Sequence, residues 1–222
     1  MENINTILTT SQTYKRIEEI KNTMSGNTFH HHFFVLHELR TLLGDSKKTY
    51  TEIGTFNGGS LSFMLEHPFD TEYNCIDPCM YPDQERFINE NIKKFNKYDR
   101  HVVLHKKFSH DSNFLNTLKK TNFKKDPGSF KTDILFIDGD HSYNAVIRDF
   151  KNFEEFVNPG GFIVFDDYND EKYSPEVKIA VDSLIPYFKE KEYVIIGDVE
   201  NTQKVYPDYL ERNNEYIIQK KQ

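Results

Sequence analysis

The chain has 222 residues, enough for one large domain with a buried core, and a formal net charge of −7 gives it a field that repels phosphate backbones. Nucleic acid is therefore not an expected partner, and no apolar run reaches the length of a membrane span. The opening stretch MENINTILTTSQTYKRIEEI lacks the basic-then-apolar pattern of a signal peptide, and Cys75 and Cys79 make no disulfide framework, so a cytoplasmic location is expected.

In chain order, two helices are expected first, over about 11–24 and 31–43. They make residues 1–45 a helical extension or lid on a single domain spanning 46–222. From residue 48 short apolar runs alternate with helical patterns. KKTYTEIG, EYNCID, HVVLHK, DILFID and GGFIVFD read as strands, each ending near a turn or an acid. Val146, Phe150, Phe153 and Val157 fall at helical spacing, and Asn158-Pro159-Gly160-Gly161 is expected to stop that helix. A helix at about 175–189 leads to EYVIIGD, a polar loop and EYIIQK. These last two strands leave no room for a helical crossover, so an antiparallel pairing at one edge follows. The fold class is α/β: a Rossmann-like, doubly wound, seven-stranded and mostly parallel sheet, antiparallel at its C-terminal edge, with helices on both faces.

In such a sheet ligands bind beyond the carboxyl ends of the strands. The glycine-rich turn TEIGTFNGGS, residues 51–60, lies at one of those ends. Gly54 and Gly58 permit a tight turn and close approach to a ligand, but the spacing is not the dinucleotide G-x-G-x-x-G. Glu52 would disfavour a pyrophosphate and favour a ligand with positive charge, such as S-adenosylmethionine with its ammonium and sulfonium groups. Asp77, ending the second strand, is placed to accept hydrogen bonds from ribose hydroxyls.

Glu52 through Ser60, E-I-G-T-F-N-G-G-S, resembles the first motif of class I S-adenosylmethionine-dependent methyltransferases. FIDGDHSY (136–143) and FDDY (165–168) narrow the resemblance to metal-dependent small-molecule O-methyltransferases, of the catechol type and especially the macrocin type acting on sugars. The resemblance covers about residues 48–168 and implies cofactor contacts from Glu52, Gly54, Thr55, Phe56, Gly58, Ser60 and Asp77. It adds Ser109 and His110 near the adenine, and Asp138 bordering both cofactor and metal.

Asp138 ends the fourth strand and Asp166 the fifth, and adjacent strands lie about 5 Å apart, so their carboxylates can converge. With Asp167 they would repel one another unless a cation intervenes, and hard oxygen donors favour magnesium, with manganese or calcium as alternatives. The resemblance implies that Asp138, Asp166 and Asp167 hold this metal and that His141 is the general base. Asp140 is expected to cap the following helix or orient a neighbour. In FHHHFF (29–34) adjacent histidines on a helix point in different directions, so His30, His31 and His32 read as part of a lid rather than a metal site.

The expected activity is O-methylation of a small molecule, foremost a sugar as nucleotide sugar, glycan or glycoside, and next a catechol-like phenol. A nicotinamide-dependent oxidoreductase and an inactive cofactor-binding module are the rival readings. The sequence leaves a homo-oligomer open.

Overall fold

Apolar residues switch repeatedly between a period of two and a helical period, and strands and helices alternate accordingly. The computed structural model describes residues 15–26, 33–120, 130–198 and 215–222. Seven strands form one sheet: β1 (Lys48–Ile53), β2 (Thr71–Ile76), β3 (Val102–His105), β4 (Thr132–Ile137), β5 (Val157–Phe165), β6 (Val194–Asp198) and β7 (Tyr216–Gln219). Their order is β3-β2-β1-β4-β5-β7-β6. β1 to β5 pair in parallel, and β7 runs antiparallel to both β5 and β6. The late antiparallel pair is therefore as expected, with β7 inserted beside β5 and β6 at the outer edge.

Seven α-helices cover the sheet among the described residues. On one face α1 (Lys15–Lys21), α2 (Phe34–Leu42), α3 (Gly59–Met64) and α4 (Gln84–Phe95) pack on Tyr50, Tyr73, Ile134 and Phe136. On the other α5 (Ser112–Lys120), α6 (Tyr143–Phe153) and α7 (Pro175–Glu190) pack on Ile53, Leu135, Ile137 and Phe165. Every residue of β4 is buried, as a central parallel strand covered on both faces requires. β1 and β4 are neighbours, yet the helices that follow them, α3 and α6, lie on opposite faces. Their divergence opens the crevice at which such sheets bind ligands. No described helix is long and apolar enough to cross a membrane.

One expectation changes. Asn158–Gly161 does not end a helix: α6 stops at Phe153, a 3-10 turn spans Glu154–Phe156, and Val157 begins β5. The reason is a register shift, in which Val157 pairs with Thr132 and Phe162 with Ile134, so the intervening residues bulge. Gly160, at φ +79°, carries the bulge, and Gly160 and Gly161 exchange backbone hydrogen bonds with Lys220 of the chain end. At the N-terminus α1 begins at Lys15, and the rest of the expected first helix up to residue 14 and His30–His32 lie outside the described residues.

Candidate active site

Four residues that follow strand ends continue the sheet's ladder by one hydrogen bond each. The N–H of Gly54 reaches Ile76 O (2.9 Å), Asp77 reaches His105 O (3.1 Å), Asp138 reaches Ile53 O (2.9 Å) and Asp166 reaches Ile137 O (3.0 Å). Three carboxylates and the first glycine of the turn are thus held in register along the carboxyl rim. Gly54 has φ +90°, and a Cβ built on it would lie 1.9 Å from the carbonyl oxygen of Asp138. Only glycine lets the turn after β1 lie directly on the exit of β4.

Below that turn Glu52 is fully buried. The hydroxyls of Tyr50 and Ser60 both donate to its Oε2 at 2.8 Å. Burial pushes the Glu52 carboxyl up, and these hydroxyls pull it back. Glu52 therefore ties β1 to the first turn of α3. Thr55 is buried, and Gly58 (φ +83°) occupies the left-handed position ahead of α3. Phe56 is half-exposed and meets the Tyr81 ring edge-on at 5.5 Å.

Asp77 braces the same turn. Its Oδ2 accepts the Phe56 N–H (2.9 Å), and its Oδ1 accepts the Cys79 N–H (2.7 Å) and Gln84 Nε2 (2.7 Å). Its oxygens thus already hold protein donors, and a ribose would share them. Behind the turn, Asn91 of α4 donates to Asn57 O (2.8 Å) and exchanges hydrogen bonds with the Ser25 backbone. The segment after α1 is fastened to the glycine-rich turn through this amide.

Ser109 turns inward, donating its hydroxyl to Asp149 Oδ1 at 2.6 Å. Its single proton is used there, which leaves the oxygen as an acceptor only. Burial pushes the Asp149 carboxyl up to about 6. Sequence reasoning missed Asp149, although there was a signal: it shares the helical stripe of Val146, Phe150 and Phe153, where an acid is out of place. His110 is exposed and lies against the Phe108 ring.

At the ends of β4 and β5 the acids and His141 converge. His141 Nε2 lies 3.2 Å from Asp138 Oδ1, and Nδ1 lies 3.5 Å from Asp167 Oδ2. Ser174, just before α7, places its Oγ 2.7 Å from His141 Nδ1 and donates to Asp167 Oδ2 at 2.9 Å. Ser174 was missed because Ser-Pro reads as an ordinary helix start, yet its side chain makes no capping hydrogen bond. Asp167 reaches this position by adopting a left-handed φ of +57°. Asp140 stands apart: its Oδ1 accepts the Ser142 N–H at 2.9 Å, which stabilises its charged form and holds its pKa below the usual value.

One potential ligand atom each from Asp138, His141 and Asp167 lie within 4.8 Å of one another. Asp166 is buried too, and its carboxyl bears on Asp138. Burial, then the charges of Asp166 and Asp167, push the Asp138 carboxyl well above its usual range. A divalent cation would offset this concentration of negative charge, and the oxygen-rich donor set suits a hard ion. Cys75 is buried within β2, and Cys79 lies in the loop after it, so neither belongs to this group.

Residues 51–168 match the family described as a methyltransferase domain. Uncharacterized protein R132 of Acanthamoeba polyphaga mimivirus is 38% identical over 214 residues, covering 92% of this chain and 94% of that protein. Among solved structures, the O-methyltransferase from Bacillus cereus in complex with SAH aligns at a TM-score of 0.54 and 15% identity, over 94% of this chain and 90% of that one. The O-methyltransferase TomG from Streptomyces achromogenes, involved in tomaymycin synthesis and solved in complex with SAM, aligns at a TM-score of 0.54 and 14% identity, over 94% and 89%. These two structures share the fold. With more than half of its length matched by the family, and with the sheet and rim expected for it, the chain belongs to the methyltransferase-domain family.

Proposed function

We propose that the protein is an S-adenosylmethionine-dependent, divalent-metal-dependent O-methyltransferase acting on a hydroxyl of a small molecule, foremost a sugar. The observation that carries this reading is the cluster of Asp138, His141 and Asp167, within 4.8 Å of one another, beside the glycine-rich turn. The turn closes on the same β4 exit through Gly54, so a cofactor in the turn and an acceptor at the acids would be neighbours. The His141 and triple-aspartate pattern favours a sugar over a phenol as acceptor.

Bound S-adenosylmethionine supplies an electrophilic methyl group, and a bound cation supplies Lewis acidity that lowers the pKa of an acceptor hydroxyl. Asp138 and Asp167, backed by Asp166, would hold the cation, with magnesium foremost and manganese or calcium as alternatives. His141 takes the hydroxyl proton on its ring nitrogen, the role for which an imidazole is suited near neutral pH. Glu52 and Asp77 hold the turn in shape, and the acids fix the acceptor's orientation. Such positioning supplies much of the rate in a transfer between two bound partners.

A methyl-transfer screen over nucleotide sugars, glycosides and phenols, with and without magnesium, tests the reading. Magnesium-dependent methylation of a sugar hydroxyl is expected. Methylation of phenols alone would move the acceptor to the catechol class. Affinity for NAD without affinity for S-adenosylmethionine would overturn the reading.

A further inference from the structure

Asn91 lies on the buried face of α4 with Ile88 and Phe95 and is itself fully buried. An apolar residue is the ordinary occupant of such a position, and a buried amide is costly unless its polar atoms are bonded. Its bonds run to the backbones of two separate loops. Oδ1 accepts the Ser25 N–H at 2.7 Å, and Nδ2 donates to Ser25 O at 2.9 Å and to Asn57 O at 2.8 Å. Two carbonyls and one N–H suit an amide in this orientation. A carboxylate has no proton for either carbonyl, and an aliphatic chain leaves all three groups unpaired. The Asn57 side chain closes the link from the other side, donating its Nδ2 to Gly26 O at 3.0 Å. Gly26 has φ +84°, and a Cβ built on it would lie 2.9 Å from Asn57 Cβ, Cγ and Nδ2.

We propose that Asn91 is a positioning residue for the cofactor, through which Ser25 and Gly26 hold the glycine-rich turn in its ligand-binding shape. The carbonyl that Asn91 holds belongs to the Asn57–Gly58 peptide, and Gly58, at φ +83°, leads directly into α3. Fixing that peptide fixes the direction in which the chain leaves the turn. Ser25 and Gly26 precede residue 51, where the family match begins, so the turn takes part of its support from outside the matched domain. The consequence for methyl transfer rests on the proposed function, whereas the coupling of the two loops is a property of the protein alone.

Gly26→Ala and Asn91→Ala test this, with Gly44→Ala as the control, because Gly44 has φ +80° and nothing within 4 Å of its Cβ. The three atoms nearest the added Cβ in Gly26→Ala all belong to the Asn57 side chain. That variant therefore disturbs the turn without opening a cavity, and it serves should Asn91→Ala fail to fold. In hydrogen exchange without cofactor, the Gly58 N–H, bonded to Thr55 O at 2.7 Å, is the reporter. It should exchange about tenfold faster in both variants, as the loss of one hydrogen bond allows, and at the wild-type rate in the control. S-adenosylhomocysteine should bind about tenfold more weakly to both variants by calorimetry. The double variant should bind no more weakly than the weaker single one, since both act through one link. Magnesium affinity should not change. In the methyl-transfer assay the KM for S-adenosylmethionine should rise with kcat unchanged, a split that a general loss of stability does not produce. Unaltered S-adenosylhomocysteine affinity in Gly26→Ala, or losses that multiply in the double variant, would overturn the inference. If Gly58 exchange responds as expected and S-adenosylhomocysteine binds no form of the protein, the hold on the turn stands and the proposed function fails.

Discussion

Replacing Gly54 by alanine measures how tightly the glycine-rich turn is bound to the exit of β4. The added Cβ would lie 1.9 Å from Asp138 O, 2.5 Å from Asp138 C and 2.8 Å from Gly139 Cα, all backbone atoms that cannot swing aside. Gly44→Ala is the control, because Gly44 has a similar φ of +80° and nothing within 4 Å of its Cβ. The control carries only the left-handed backbone cost, about 1–2 kcal/mol. Gly54→Ala carries that cost and must also displace the exit of β4 by about an ångström, which adds about 3 kcal/mol. At about 2–4 °C per kcal/mol for a chain of this size, the control should melt roughly 5 °C lower and Gly54→Ala roughly 10–15 °C lower. Differential scanning calorimetry measures both. Because Asp138 is what moves, magnesium affinity should fall along with S-adenosylmethionine affinity in Gly54→Ala and in neither respect in Gly44→Ala. Equal melting temperatures for the two variants would refute the close approach of turn and strand.

Asp149→Asn keeps an oxygen for the Ser109 hydroxyl and removes the buried charge. The folded carboxyl has a pKa of about 6 against an ordinary 3.8, so wild-type stability from this group is full below pH 4 and lost as pH rises through 6. The variant should therefore gain about 2–3 kcal/mol relative to wild type between acid and neutral pH, by urea denaturation; a constant difference across pH would remove the buried charge from consideration. His141→Gln should cut turnover about 10²–10⁴-fold with S-adenosylmethionine binding intact by calorimetry. Asp138→Asn and Asp167→Asn should each weaken magnesium about 100-fold in titration calorimetry. Arg40 is fully buried and donates to Thr71 Oγ1 and to the carbonyls of Gly44, Ser46 and Asp70 at 2.6–2.9 Å. Arg40→Met should cost about 3 kcal/mol or more, read from the denaturation midpoint, because those groups lose their partner in the interior.

What was legible in the sequence is what strand ends dictate. Asp138 and Asp166 follow apolar runs that have to be central strands, and adjacent parallel strands bring their ends together. The glycine-rich turn after β1 was legible for the same reason. Contacts between residues far apart in the chain were not. Ser174 meets His141 from 33 residues away, and Ser109 meets Asp149 from 40. No local pattern encodes which partner a hydroxyl finds across a crevice. The bulge in β5 was hidden because Asn-Pro-Gly-Gly also reads as a helix stop, and only pairing with β4 and the chain end decides between the two. Asp77 was placed correctly at the rim, but its use by Phe56, Cys79 and Gln84 depends on how the following loop folds back.

The most direct test of metal-dependent methyl transfer follows a labelled methyl group from S-adenosylmethionine into a sugar acceptor, using wild type stripped with a chelator. Transfer should vanish on stripping, return with magnesium, and stay absent in Asp138→Asn and Asp167→Asn at the same magnesium concentration. Transfer that is indifferent to the chelator, or undiminished in both variants, would contradict the role assigned to the acids at the ends of β4 and β5.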